Sequence, residues 1–233
     1  MTEATADARV SVVEVVDEAA DPRDDPPEVT PAIDAAGVGE VLVQLRRTTE
    51  RVTVGSGLSR RPGLLDTVRA LPQAPLVTTT SAGGTFVIGG PGWLAFSAVG
   101  RAPEGRVLPL DWMCDALAVW LSEHLGDAGL PGVERGAVDG AWCPGFSDLQ
   151  AIGRKLVGIG FRLTRERVLG RGMISVLPLD DAQLELLRAT HALIDRDVRE
   201  DSCTSLAALA ANAGIGGEWD VDRAIRLLRG AAW

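Results

Sequence analysis

Residues 141–162 read AWCPGFSDLQAIGRKLVGIGFR, and they hold Lys155, the only lysine in a chain with 22 arginines. A chain that meets its surface needs with arginine has no need of lysine for solubility. The two cations differ in kind. Arginine is a planar fork that keeps its proton, whereas lysine is a compact charge whose three donors can converge on one oxygen. The exception therefore marks a candidate for chemistry a guanidinium does not perform. Gly153, Gly158 and Gly160 surround it, and glycine lets backbone approach a ligand closely. Upstream lies Cys143, followed by Pro144-Gly145, a pair that favours a turn just after the thiol. With Trp142 and Phe146 on either side, this thiol is expected at the mouth of an apolar pocket. A neighbouring ammonium favours the thiolate. A nucleophilic cysteine beside a cation suits acyl transfer: a thioester forms and the cation stabilises the oxyanion. Two plainer readings stay open: a small buried hydrophobe for Cys143 and a chance singleton for Lys155.

Working outward, a second glycine cluster, SAGGTFVIGGPG (81–92), has neither GxGxxG nor P-loop spacing. It joins two strand candidates and reads equally as a backbone-lined binding loop or a plain hairpin. Valine-rich or apolar runs predict strands at 8–16, 52–55, 75–80, 85–89, 93–99, 132–138, 155–163 and 172–178. Residues 32–47 are predicted to include a helix, interrupted near Gly37 and Gly39, and further helices are predicted over 63–71, 109–125, 180–194, 204–214 with a Thr204 cap, and 219–231. The order is strands mixed with helices, then helices alone. That predicts an α/β (α+β) fold with a mixed or mainly antiparallel central sheet flanked by helices. Residues 1–31 are expected to form an edge strand followed by an acidic, proline-rich loop. Residues 32–233 are expected to form a single catalytic domain ending in a helical segment from about residue 180.

Composition narrows the class. Net charge is −9, and residues 1–30 carry −7 of it. The remaining body is nearly neutral, its arginines scattered, with no basic stripe for nucleic acid. No run of about 18 apolar residues suggests a membrane span, and the N-terminus lacks the pattern of a secretory signal. Cys114, Cys143 and Cys203 are widely spaced without a CxxC pair, which argues against a disulfide framework or a metal site and for a reducing, cytoplasmic setting. His124 and His191 stand isolated, and tyrosine is absent.

Two segments together resemble the biotin/lipoate protein ligase superfamily. Gly153-Arg154-Lys155-Leu156-Val157-Gly158 is similar to its Gly-Arg/Lys-Lys-x-x-Gly signature. Cys143-Pro144-Gly145-Phe146-Ser147-Asp148-Leu149 resembles the Cys-Pro-Gly-x-Tyr-Asp-Leu stretch of its cysteine-bearing octanoyl and lipoyl transferases. SAGGTFV sits where the family has its glycine-rich turn, commonly Arg-Arg-x-Gly-Gly-Gly. The resemblance implies a biotin/lipoate ligase-like catalytic domain around an acyl tunnel. It implies that Lys155 holds the acyl carbonyl or acyl-phosphate oxygen and that Cys143 carries an octanoyl or lipoyl group as a thioester. Ser81, Gly83, Gly84, Trp142, Asp148 and Gly158 would contact substrate, with Trp142, Phe146, Phe86 and Phe161 as apolar wall. The acyl group would pass to a lysine of a lipoyl-domain carrier, of the glycine cleavage H protein or dehydrogenase E2 type. A transferase requires no cofactor; the ligase alternative uses ATP and magnesium with lipoate or octanoate; a third alternative is a non-catalytic acyl- or carrier-binding member. The chain departs from the pattern in places. The arginine pair falls at Thr79 and Thr80, the first glycine of the triplet at Ala82, and Ile88-Gly89 stand where a histidine is common. Loss of the pair weakens phosphate recognition and tilts the expectation from ligase toward transferase. The stretch after the last strand candidate is also shorter than the accessory domain of many ATP-using ligases.

Overall fold

The structure, a computed structural model, describes residues 8–17, 29–104 and 109–230. In chain order its elements are β1 (Arg9–Asp17), α1 (Pro31–Asp34), β2 (Glu40–Arg47), β3 (Arg51–Val54), α2 (Leu64–Arg69), β4 (Val77–Thr79), β5 (Phe86–Gly89), β6 (Trp93–Gly100), α3 (Pro109–Asp127), β7 (Glu134–Arg135), β8 (Leu149–Ala151), β9 (Arg154–Leu163), β10 (Val168–Ser175), α4 (Asp181–Ala192), α5 (Leu206–Asn212) and α6 (Val221–Leu228). A seven-stranded sheet has the order β1-β2-β6-β10-β9-β8-β7, and a three-stranded sheet has the order β4-β3-β5. Both are mixed: β1 pairs parallel to β2 and β3 parallel to β4, while the remaining pairs are antiparallel. The α/β expectation holds, and the valine-rich first strand is the edge of the large sheet. Most of the acidic stretch that follows it, residues 18–28, lies outside the described residues.

Burial explains the layering. Val41, Val43 and Leu45 of β2, with Leu94 and Phe96 of β6 and Leu156 of β9, pack against Met113, Leu117 and Leu121 of α3. α5 and α6 complete this core through Leu206, Leu209, Ile225 and Leu228. The small sheet has its own core, in which Val52, Val54, Phe86 and Ile88 meet Trp93, Trp142 and Leu187. Each such side chain contributes about 1.5–3 kcal/mol on leaving water.

Several sequence expectations need correction. Residues 32–47 do include a helix, α1, which ends before Gly37, but the part from Glu40 on is the unexpected strand β2. Gly39 at φ 80 ends the first part, and Val41, Val43 and Leu45 then alternate into the core at the strand period. The opposite face, Gln44 and Arg46, is buried too, so no exposed polar positions disclosed that period. β8 went unrecognised because it is only three residues long. The strand expected over 132–138 shrinks to Glu134–Arg135, and the one expected over 172–178 begins earlier, at Val168. α5 is capped by Ser205, whose side chain accepts the Ala208 N–H, rather than by Thr204. Thr204 instead donates its N–H to the Lys155 carbonyl at 2.9 Å. α4 starts with a capping box: Asp180 accepts the Gln183 N–H, and the Gln183 side chain accepts the Asp180 N–H.

Candidate active site

Loop 80–85 connects β4 to β5. Both strands pair with β3 rather than with each other, so the second glycine cluster is not a hairpin. The loop lies on the large sheet, where Gly83 N–H donates to the Phe161 carbonyl of β9 at 3.4 Å. This approach requires glycine beneath it: a Cβ on Gly160 would stand 2.5 Å from the Gly83 oxygen. Gly84 has φ +110, and a Cβ there would meet the Cys143 sulfur at 3.2 Å. A cavity of about 380 Å³ opens between this loop, the floor of β9 and β10, and the turn that carries Cys143.

Of the residues singled out in the sequence, Gly83, Gly84, Trp142, Cys143, Asp148 and Gly158 line the cavity. Phe146 and Phe161 line it as well, and Phe146 is 62% exposed. Ser81 is not among the lining residues. Phe86 is not either: as a strand residue facing inward it is fully buried, edge-on to the His191 ring at 5.6 Å. Gly153 serves a different purpose from Gly158 and Gly160. With φ +73 it closes the β8–β9 turn and has nothing within 4 Å of a Cβ.

The cysteine is tightly determined. Cys143 has φ +43, a left-handed conformation uncommon for a residue with a Cβ. Its sulfur accepts the Thr85 N–H at 3.0 Å. Its carbonyl accepts from Lys155 Nζ at 2.8 Å, and its N–H donates to His191 Nε2 at 3.0 Å. The other two thiols differ. Burial pushes Cys114 up to about 11 and also pushes Cys203 upward, so both are held as thiols.

Lys155 is 0% exposed and does not line the cavity. Its three donors do converge, but on protein oxygens: the carbonyls of Trp142 (2.7 Å) and Cys143 (2.8 Å) and Asp148 Oδ2 (2.8 Å). Its ammonium also lies 4.0 Å from the centre of the Trp142 ring. In this geometry all three ammonium N–H groups are engaged by protein oxygens. The charge is nevertheless close by. A Cβ on Gly158, which lines the cavity, would stand 3.0 Å from Nζ. Asp148 also accepts the Gly145 N–H at 2.8 Å, tying the Cys-Pro-Gly turn to the same carboxylate. Burial pushes the Asp148 carboxyl upward, opposed by the Lys155 charge and hydrogen bond and by backbone N–H groups.

Three contributions escaped the sequence. Arg51 of β3 and Arg171 of β10 line the cavity, and Arg171 Nη1 approaches the Thr80 hydroxyl at 3.4 Å. An arginine from another strand thus stands beside the position where the family pattern has its own. The third is His191 of α4. Nothing in the local sequence marked any of them, since each reaches the site only through sheet pairing or helix docking.

Comparison with known proteins adds the fold. No family model and no curated relative matches the sequence. Among solved structures, lipoate-protein ligase A bound with ATP matches with a TM-score of 0.63 at 16% identity, over 95% of this chain and 82% of that one. Protein Ta0514 of T. acidophilum, solved with bound lipoic acid, matches with a TM-score of 0.57 at 14% identity, over 95% and 83% of the two chains. The chain shares the fold of these structures, a mixed sheet flanked by helices. Among the described residues, no helix is long and apolar enough to cross a membrane.

Proposed function

We propose that the protein is an acyltransferase that moves an octanoyl or lipoyl group through a thioester on Cys143 to a lysine of a lipoyl-domain carrier. The observation that carries this reading is the fixed Cys143 side chain, its sulfur against a backbone N–H, in the wall of a largely apolar cavity. Burying an eight-carbon chain there is favourable by about 0.8 kcal/mol per CH₂. In the first step the Cys143 thiolate attacks the carbonyl of a donor thioester. The new C–S bond forms, and the donor thiol leaves and takes up a proton. In the second step the acceptor amine attacks, an amide forms, and the Cys143 thiol is restored. Lys155 supports both steps from behind the cavity floor. It holds the turn through two carbonyls and adds positive charge where the oxyanion develops. Incubation with an acyl-loaded carrier should give an acyl adduct on Cys143 by intact mass and peptide mapping. An unmodified Cys143, with the carrier shown to be active, would overturn the proposal.

The second reading is an ATP-dependent lipoate ligase. It is favoured by the likeness to a ligase solved with ATP and a protein solved with lipoic acid, and by Arg51 and Arg171 in the cavity wall. Their guanidinium groups are suited to a phosphate or carboxylate. Cys143→Ser separates the two: it abolishes the transferase and spares the ligase, which releases AMP from ATP and free lipoate.

A further inference from the structure

We propose that His191 is a positioning residue for Cys143: its neutral ring accepts the Cys143 backbone N–H and so holds the thiol against the Thr85 amide. The inference rests on the acyltransferase reading above and concerns the same site. It begins with the strained backbone. A non-glycine residue in the left-handed region persists only when its surroundings over-determine it, and such residues gather at functional sites. Here every polar atom of Cys143 has a fixed partner, and the three partners come from three elements: Lys155 from β9, Thr85 from the glycine loop, His191 from α4.

The ring can play one role only. His191 Nδ1 lies 2.8 Å from the Leu187 carbonyl, which accepts and does not donate. The proton therefore sits on Nδ1, and Nε2 presents a lone pair. That lone pair faces the Cys143 N–H at 3.0 Å, with the Thr85 hydroxyl at 3.4 Å. The ring is fully buried, edge-on to Phe86, so it does not swing away. Because the lone pair is engaged by an amide, His191 is not the base that deprotonates the thiol. It keeps the Cys143 amide, and with it the sulfur, within hydrogen-bond reach of the Thr85 N–H.

Three measurements test this. Two-bond ¹H–¹⁵N correlation at neutral pH should show His191 protonated at Nδ1 and bare at Nε2; a proton on Nε2 overturns the proposal. Alkylation of Cys143 by iodoacetamide, read by peptide mapping, should slow roughly tenfold in His191→Leu, because a small displacement of a held nucleophile is costly. In His191→Gln, whose amide oxygen replaces the Nε2 acceptor, alkylation should stay near the wild-type rate. A wild-type rate in His191→Leu overturns the proposal. Should the leucine variant not fold, His191→Asn, whose oxygen falls short, takes its place against His191→Gln; equal rates in that pair likewise overturn it. In acyl transfer, the loss should fall on kcat with KM for the carrier retained. The first two readouts need no acyl donor. An unacylated Cys143 in the wild type would thus sink the transferase while these still report on the role of His191.

Discussion

Lys155 meets Cys143 through its main chain: Nζ donates to the Cys143 carbonyl at 2.8 Å rather than facing the thiol. The sole lysine is thus the buried hub of the Cys-Pro-Gly turn, with Trp142 and Asp148 as its other partners. A tetrahedral ammonium sends three donors to three oxygens around a point. A planar guanidinium of greater bulk does not.

Lys155→Arg should therefore abolish acyl transfer although charge is retained. Lys155→Met should in addition destabilise the protein by about 3–5 kcal/mol, because Asp148 is left buried without its counter-charge. Chemical denaturation and a carrier acylation assay check both. Full activity in Lys155→Arg would refute the hub.

Thiol reactivity should be selective. Cys114 and Cys203 are held as thiols by burial, while Cys143 lines the cavity. A limiting amount of iodoacetamide at neutral pH should label Cys143 at least about tenfold faster than either, because the two buried groups stay as unreactive thiols. Peptide mapping after short exposures reads the ratios, and comparable labelling of Cys114 would contradict the assignment.

His191 should impose an acid limb on stability. Burial, with smaller contributions from the Lys155 and Arg196 charges, lowers it from its usual 6.5 to about 4, against the Leu187 hydrogen bond. Below 6.5 the unfolded chain takes up a proton that the folded chain refuses until about 4. Stability from this group is thus complete above that window and falls as pH drops through it, by roughly 3 kcal/mol in all. Denaturation midpoints of wild type and His191→Gln between pH 7 and pH 4 should converge by this amount, and parallel curves would refute it.

Gly84→Ala should block the site. The residue is at φ +110, and the added methyl would press on the Cys143 sulfur at 3.2 Å. Strain of about 1–3 kcal/mol should appear in the melting temperature. Cys143 alkylation should change together with acyl transfer. An unaffected Cys143 would show that the loop does not hold it.

The sequence by itself singled out the Cys143–Lys155 segment. Its residue types and the Pro-Gly pair after the thiol are local properties carried by adjacent residues. It also disclosed the α/β order, since strand and helix periods show wherever one face is wet. Where both faces are buried, as in β2, the period was hidden. Only the tertiary structure decided what each group faces. It turned Lys155 inward onto carbonyls, removed Ser81 and Phe86 from the cavity wall, and brought Arg51, Arg171 and His191 into the site from distant positions. The physical reason is that a hydrogen bond depends on where lone pairs and N–H groups point. Strand register and helix docking, summed over the whole chain, set those directions.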